Sequence, residues 1–311
     1  MYFPYLRCKQ FELLALRELA QELGRSDKLS PVLEPVKKSL NALEKALEGL
    51  MSVGVNFTLI LNPIFGDFTN NNGLLIDFVN RKLGDYNNFQ FGLIINQFTN
   101  IEQLDYILAR VNFERPLSLI HAARSNDVDA LSDWAGAQDI RYNLFNENIP
   151  ARRYRGVILP NTKILLDDKF IPKAKNADYS DQPELFTDEH LYFVEDGYNG
   201  FGDYLTIGND YTETGFLPYA VAIHLTYIRA DRNNEIWIRH FVSDSNSDNS
   251  DVAGKFGEAL EKLIAFINAE GINTAAADEF RGHATNGHYP GLGSLKKLSI
   301  KNHLELLIQL L

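Results

Sequence analysis

Nine polar side chains directly follow apolar stretches in the first half of the chain, and their types suit ligand binding or proton transfer. They are Arg7, Lys9, Glu34, Asn62, Asn96, Gln97, His121, Asn146 and Glu147. Lys9 beside Glu34 would form an acid–base pair or a carboxylate clamp, and His121 has the residue type of a general base. Amides outnumber carboxylates in this set, which favours recognition of a ligand through hydrogen bonds over hydrolysis.

These residues leave two interpretations open. In the functional one, Lys9, Glu34 and His121 are the catalytic candidates, and the whole set except His121 supplies the ligand-binding candidates. In the structural one, Lys9 and Glu34 form a buried ion pair between the first two strands, and the asparagines cap loops. Only Glu34 and His121 are good metal ligands, so we expect no metal site and no cofactor.

The elements that would position the set alternate between strand and helix. Apolar strands are predicted at residues 2–6, 31–36, 57–61, 89–95, 117–120 and 140–145, with amphipathic helices between them. Near-continuous apolar strands are typical of a sheet covered by helices, and in a parallel barrel the carboxyl ends of the strands build the site. We therefore predict a single α/β domain over residues 1–311, a distorted TIM-like parallel barrel. An open doubly wound sheet with a small α+β domain is the alternative.

The second half of the chain is less regular. Further strands are predicted at 156–159 and 191–194, with an irregular loop over 167–190 that contains at most one helical turn. The segment Gly200-Phe-Gly-Asp-Tyr204 follows. A β-hairpin at about 219–242 breaks the alternation and is interpreted as an insertion. A helical layer follows at about 251–311, where a long helix over 252–269 is followed by a glycine as its stop signal.

The hairpin contains two histidines that form a secondary candidate site. If its turn is centred on residue 232, His224 and His240 lie opposite each other on one face. His224-Leu-Thr226 matches half of a two-histidine phosphodiesterase motif, but His240-Phe-Val-Ser243 has the wrong spacing. Packing of a cross-strand pair is the stronger interpretation, and a functional role for the two histidines stays open.

The charge of the chain is −11 and unevenly distributed. Residues 176–228 contain ten acidic residues and seven of the 14 tyrosines, but no Lys or Arg. Such a segment repels nucleic-acid phosphates and suits a basic protein, a cation or a cationic substrate. A solvated acidic rim without a partner is the alternative, although the tyrosines favour a recognition surface.

Composition sets the expected compartment. The amino terminus lacks the apolar region of a signal peptide, and no run approaches the roughly 20 apolar residues of a membrane span. The single cysteine, Cys8, excludes an internal disulfide framework. We expect a cytoplasmic protein that is not bound to a membrane.

Several motifs together resemble the phage and bacterial "beta protein" family. They are Tyr2-x-Pro4-x-Leu6-x-x-Lys9-x-x-Glu12-x-x-Ala15-Leu16, Pro31-Val-Leu-Glu34-Pro35, Phe201-Gly-Asp203-Tyr204, Ala222-Ile-His-Leu-Thr-Tyr227 and His240-Phe241. The family usually has glycine where this chain has Cys8. The resemblance spans nearly the whole chain and is closest to a bacterial subgroup encoded beside a small nuclease-like protein in settings that suggest phage defence.

The sequence is therefore compatible with two functions. The first is a recognition subunit of a two-component defence system, which binds a nuclease-like protein through the acidic segment, with Asp203 as a secondary candidate, and a small ligand at the barrel mouth. The second is a hydrolase- or phosphodiesterase-like enzyme that acts on a small polar or phosphorylated ligand with Lys9, Glu34 and His121.

Overall fold

The chain forms two compact units. The computed structural model describes residues 1–146, 162–213 and 217–311, together with Ile149, Tyr154 and Gly156. Unit 1 comprises Met1–Leu13, Ala20–Asp167 and Tyr192–Asp203, and unit 2 comprises Leu14–Leu19, Asp168–Leu191 and Tyr204–Leu311. That residues 1–311 form one domain stays a prediction.

Unit 1 is a TIM-like barrel of eight parallel strands, which confirms the predicted fold class. The strands are β1 (Tyr5–Leu6), β2 (Val32–Leu33), β3 (Phe57–Ile60), β4 (Phe89–Ile95), β5 (Leu117–His121), β6 (Ile140–Phe145), β7 (Lys163–Asp167) and β9 (Gly200–Asp203). They are hydrogen-bonded in this order around the sheet. β3, β4 and β5 are buried along their whole length, as expected for strands that are covered on both faces.

The barrel is closed by a parallel bridge between Tyr2 and Phe201. The Phe3 amide donates to the Phe201 carbonyl at 2.8 Å, and the Phe201 amide donates to the Met1 carbonyl at 3.0 Å. A Cβ atom on Gly202 would lie 2.2 Å from the Phe3 carbonyl oxygen, so this approach of two backbones requires glycine. No open edge lies beside the first strand, and the alternative of an open sheet is wrong.

Helices of the first 136 residues connect successive strands. They are α1 (Gln10–Glu18), α2 (Ala20–Arg25), α3 (Asn41–Ser52), α4 (Gly73–Lys82), α5 (Ile101–Leu108) and α6 (Val128–Gly136). α3 buries Leu43, Leu47 and Leu50, the same face that its heptad-like spacing predicts. The amide groups at the start of α5 and α6 are capped by Asn100 and Asp127.

Unit 2 contains a three-stranded antiparallel sheet and the carboxyl-terminal helices. The strands are β8 (Glu184–Thr187), β10 (Ala222–Arg229) and β11 (Glu235–Val242), in the order β10-β11-β8. The helices are α7 (Glu189–Tyr192), α8 (Val252–Ala269), α9 (Ala275–Asn286) and α10 (Leu292–Leu310). The last residue of α7, Tyr192, is already part of unit 1. The predicted hairpin and helical layer are both present. One hydrophobic core joins β10 and β11 with α8, α9 and α10.

Two predictions for the second half are corrected by the structure. Residues 191–194 are not a strand, because α7 covers Glu189–Tyr192 and a turn follows. The loop predicted at 167–190 contains β8, which pairs with β11. A short apolar run does not by itself distinguish strand from helix, since both can bury it. The strand predicted at 156–159 falls outside the described residues, except for Gly156. Within the described part, none of the helices is long and apolar enough to cross a membrane.

Candidate functional site

The structure places the predicted polar residues at the carboxyl ends of the barrel strands in unit 1. Arg7 and Lys9 follow β1, Glu34 follows β2, Asn62 follows β3, Asn96 and Gln97 follow β4, His121 ends β5, and Asn146 follows β6. Glu147 lies outside the described residues. Carboxyl ends of neighbouring parallel strands share one face of a barrel, so the predicted mouth exists.

Among the described acids of the mouth, Glu34 is the most deeply buried, at 0% exposure. Its Oε2 accepts a hydrogen bond from the Tyr5 hydroxyl at 2.8 Å, and its Oε1 accepts one from the Ile64 amide at 3.0 Å. Burial raises the pKa of the Glu34 carboxyl, and these hydrogen bonds and Arg7 oppose the shift. The carboxyl group therefore joins three successive strand ends.

Arg7 provides the positive charge beside Glu34, which corrects the expected pairing with Lys9. The Arg7 Nε atom lies 3.6 Å from Glu34 Oε2, and its guanidinium carbon lies 4.8 Å from the centre of the Phe65 ring. Lys9 instead lowers the pKa of Glu12. The reason is local: Cys8 has a left-handed backbone with φ of 52°, which turns the chain between Arg7 and Lys9. This is the position at which the resembling family usually has glycine.

Glu12 is a mouth residue that reasoning from the sequence missed. Its Oε2 accepts a hydrogen bond from the Lys9 amide at 3.4 Å, which is half of a capping box at the start of α1. Burial raises the pKa of Glu12 to about 7, although Lys9 and Arg7 lower it. The Lys9-x-x-Glu12 spacing is the signal that could have identified it.

Two asparagines of the mouth, Asn62 and Asn96, are hydrogen-bonded to the backbone. The Asn62 side chain donates to the Ile94 carbonyl at 2.9 Å and accepts from the Ile94 amide at 2.8 Å. The Asn96 Oδ1 atom accepts from the Phe98 amide at 2.8 Å and fixes the turn after β4. Gln97, beside Asn96 in the same turn, is exposed. The loop-capping role is thus observed for Asn96, whereas Asn62 links the end of β3 to β4.

His121 is held between two polar neighbours in the barrel. Its Nε2 lies 3.2 Å from Asn143 Oδ1, and its Nδ1 lies 2.8 Å from the Tyr154 hydroxyl. Because an amide oxygen only accepts, Nε2 carries the proton and Nδ1 accepts from Tyr154. Burial lowers the pKa of His121 to about 4. Both ring nitrogens are engaged, so the neutral imidazole is a positioning group in this arrangement.

Two further carboxylates lie at neighbouring strand ends. Asp167 ends β7 and is the register partner of Asp203, which ends β9. Asp167 Oδ1 accepts from the Asn146 side-chain Nδ2 at 2.8 Å, and Asp203 Oδ1 accepts from the Tyr2 hydroxyl at 2.7 Å. Asp203 is 2% exposed. It therefore belongs to the closure of the barrel and not to an acidic surface, which corrects its expected place among contact residues.

The two histidines of unit 2 pair as predicted. His224 and His240 are register partners of β10 and β11, and their Nδ1 atoms lie 2.7 Å apart. One Nδ1 must carry a proton and donate to the other, and the low pKa values of both imidazoles keep the pair neutral at pH 7. Burial lowers the pKa of His224 to about 3 and that of His240 to about 4.

Aromatic packing accounts for the low proton affinity of the pair. The Tyr179 ring centre lies 4.6 Å from the centres of both imidazoles, and the Phe170 ring centre lies 5.1 Å from that of His224. The charge of Lys296 further lowers the pKa of His224, and that of Lys173 lowers the pKa of His240. This environment fits the packing interpretation of the pair.

Chemically, the mouth combines fixed carboxyl groups with a neutral histidine whose two nitrogens are occupied. Over the described residues, no three His, Cys, Asp or Glu side chains are arranged to hold a metal ion. The arrangement can hold the strand ends rigidly and present the surrounding loops.

No protein-family model matches the chain, and no curated protein matches it. A mutant O-GlcNAc hydrolase from Thermobaculum terrenum is similar at 12% identity and a TM-score of 0.38, over 66% of this chain and 54% of the hydrolase. A mutant tryptophan synthase α-subunit from Pyrococcus furiosus is similar at 13% identity and a TM-score of 0.31, over 65% of this chain and 86% of that subunit. The chain thus spans about half the length of the hydrolase.

Proposed function

We propose that this protein is a recognition subunit that binds a basic, nuclease-like protein partner through an acidic surface of unit 2. The acidic surface is defined here as Asp178, Asp181, Asp210 and Glu213 with the apolar residues Leu185, Leu217 and Tyr219. The resemblance to the beta protein family supplies the partner class and the setting of phage defence. The exposed acidic and apolar side chains of the acidic surface support its assignment as the binding site for this partner.

The observation that carries the proposal is the coincidence of exposed acids and exposed large apolar side chains. Four of the ten exposed large apolar residues in the described part belong to unit 2, and they are Ile171, Leu185, Leu217 and Tyr219. The four acids of the acidic surface are exposed, and the sequence offers no Lys or Arg between residues 176 and 228. Apolar groups that are grouped with charge of one sign are typical of a protein interface.

Local contacts hold parts of the acidic surface together. The Asn176 side chain donates to the Ala220 carbonyl at 2.8 Å, which ties the segment of Asp178 to that of Tyr219. Arg239 donates to the Asp181 carbonyl at 3.1 Å, which ties the same segment to β11. β8, which carries Leu185, is an outer strand of its sheet. Fixed side chains lose little entropy on binding, and an outer strand offers backbone groups to a partner.

Copurification with the nuclease-like product of the neighbouring gene tests the proposal. The variant Asp178→Lys, Asp181→Lys, Asp210→Lys should weaken the complex by at least about tenfold, because it replaces attraction with repulsion. A matched control, Glu48→Lys, Glu102→Lys, Asp133→Lys, makes the same charge change on exposed helical positions of unit 1 and should leave binding unchanged. Equal loss in both variants would reduce the effect to net charge, and undiminished binding by the first variant would refute the acidic surface.

An enzyme that acts on a small polar ligand is the second candidate, and Glu12 is the observation that favours it. A carboxyl group whose pKa is raised to about 7 at the mouth of a barrel has the proton affinity of a general acid or base. The trio Lys9, Glu34 and His121 is less suited to acid–base catalysis, because the polar atoms of Glu34 and His121 already form hydrogen bonds within the protein. Under this candidate Glu12→Gln abolishes turnover of the ligand while partner binding is kept.

A further inference from the structure

The histidine pair of unit 2 leaves the Nε2 atoms of both rings without a hydrogen-bond partner among the described residues. The Nδ1 atoms of His224 and His240 bond to each other, and the rings pack against Phe170 and Tyr179. Neither Nε2 atom is fully enclosed by protein. His224 is half-buried, and His240 is 3% exposed. Packing of the pair thus uses the rings and the Nδ1 atoms, and the Nε2 atoms are left for a ligand.

One ring of the pair must present a hydrogen-bond donor at Nε2 and the other an acceptor. A neutral imidazole carries a single proton, so the ring whose Nδ1 donates has a bare Nε2. The ring whose Nδ1 accepts carries its proton on Nε2. This holds whichever of the two rings donates. A ligand that satisfies the pair must therefore offer an acceptor and a donor close together.

The Tyr179 hydroxyl supplies a second donor near the pair. The ring centre of Tyr179 is 4.6 Å from the centres of both imidazoles, and its hydroxyl oxygen accepts from the Lys173 amide at 3.2 Å. Because that bond uses a lone pair of the oxygen, the hydroxyl proton remains available for donation to a ligand. The Tyr179 side chain is half-buried, as is that of His224.

The charges that act on the two imidazoles are positive. Burial is the main cause of their low pKa values, and Lys296 further lowers the pKa of one ring and Lys173 that of the other. No described carboxylate shifts the pKa of either ring. The carboxylate of Glu184 acts on Tyr179, where it adds to burial in raising the pKa of the hydroxyl. Both lysines are exposed, so two cations face one carboxylate here and an anion is attracted.

We propose that the histidine pair and Tyr179 bind inorganic phosphate in its singly protonated form. The O–H group of the anion donates to the bare Nε2 atom, and its other oxygens accept from the protonated Nε2 and from the Tyr179 hydroxyl. Lys173 and Lys296 attract the anion. A phosphate monoester fits less well, because it loses its last proton at about pH 6. The site uses none of the four acids of the acidic surface and does not depend on the protein partner.

Nitrogen-15 NMR of the full chain, labelled at its seven histidines, tests this proposal at pH 8. Inorganic phosphate should shift the Nε2 signals of His224 and His240 in a saturable way and leave that of the exposed His288 unchanged. Sulfate is the matched anion, because it has the same shape and charge as hydrogen phosphate but carries no proton. It should bind at least about tenfold more weakly, since it leaves the bare Nε2 atom without a partner.

The two lysines provide the mutational test. The variant Lys173→Met, Lys296→Met should weaken phosphate binding by at least about tenfold, because it removes both attracting charges. The control Lys28→Met, Lys45→Met removes two exposed ammonium groups of unit 1 and should stay within about twofold of the wild type.

All four lysines are exposed, so both variants should fold, which thermal melts check. The proposal is overturned if phosphate gives no saturable shift of the two Nε2 signals or if sulfate binds as tightly as phosphate. It is also overturned if the variant without the two attracting lysines binds phosphate as the control variant does.

Discussion

The barrel mouth of unit 1 and the histidine pair of unit 2 bury polar groups in opposite ways. At the mouth, Glu34 lies beside the cation of Arg7 and accepts two hydrogen bonds. In the hairpin, His224 and His240 lose their charge and share one proton, surrounded by aromatic rings. Burial of a charge needs a partner, whereas a titratable group can avoid the cost by becoming neutral. Residues that look catalytic in a sequence can therefore be structural in two physically different ways.

The largest expected effect on the free energy of unfolding comes from the charged pair Arg7 and Glu34. Glu34→Gln removes the carboxylate beside the buried Arg7 and should lower the free energy of unfolding by about 3 to 5 kcal/mol. Arg7→Met should be similarly costly, and the double change should recover much of the loss, because it removes both charges of the pair. Urea unfolding of the three variants measures this, with Glu48→Gln on exposed α3 as the control. Additive losses would mean that Arg7 and Glu34 do not interact.

The free energy of unfolding should also depend on pH through the neutral pair His224 and His240, with a somewhat smaller effect. The folded-state pKa values of His224 and His240, about 3 and about 4, lie below the ordinary 6.5. The unfolded state therefore binds more protons below pH 6.5, so stability is full above that pH and is lost as the pH falls toward 4. The loss should be about 3 kcal/mol by pH 4, less than the sum of the two separate shifts, because the titrations of the two imidazoles are coupled. The double variant His224→Phe, His240→Leu should have a flatter profile, even though His121 still contributes; an unchanged slope would exclude a neutral pair.

The contribution of Glu12 to folding stability should depend on pH with the opposite sign. Its folded-state pKa of about 7 lies above the ordinary 4.5, so the folded state holds the extra proton. Stability from this group is full below pH 4.5 and is lost as the pH rises through 7. Glu12→Gln should remove this loss, which is at most about 3 kcal/mol for a shift from 4.5 to about 7. A thermal-melt series from pH 4 to 8 measures it, and identical slopes for variant and wild type would contradict the raised pKa.

Periodic features could be predicted from the sequence, and contacts set by local backbone could not. Regular alternation identified the barrel, and the symmetry of the hairpin placed His224 opposite His240, because both follow from repeats of fixed length. Arg7 rather than Lys9 lies beside Glu34, because Cys8 turns the backbone in a way that no pattern encodes. The hydrogen bond between Tyr154 and His121 Nδ1 could not be predicted either, because the two residues are 33 positions apart in the sequence. β8 was missed because its short apolar run lies within a polar segment.

Hydrogen exchange followed by mass spectrometry, with and without the purified nuclease-like partner, tests the central claim most directly. Backbone amides within an interface lose solvent access and exchange more slowly. Our account predicts slower exchange on partner binding in residues 176–187 and 208–213, which carry the acidic surface, and unchanged exchange at the strand ends around Glu34 and Asn62. Protection confined to those strand ends, with unchanged exchange across the acidic surface, would contradict it.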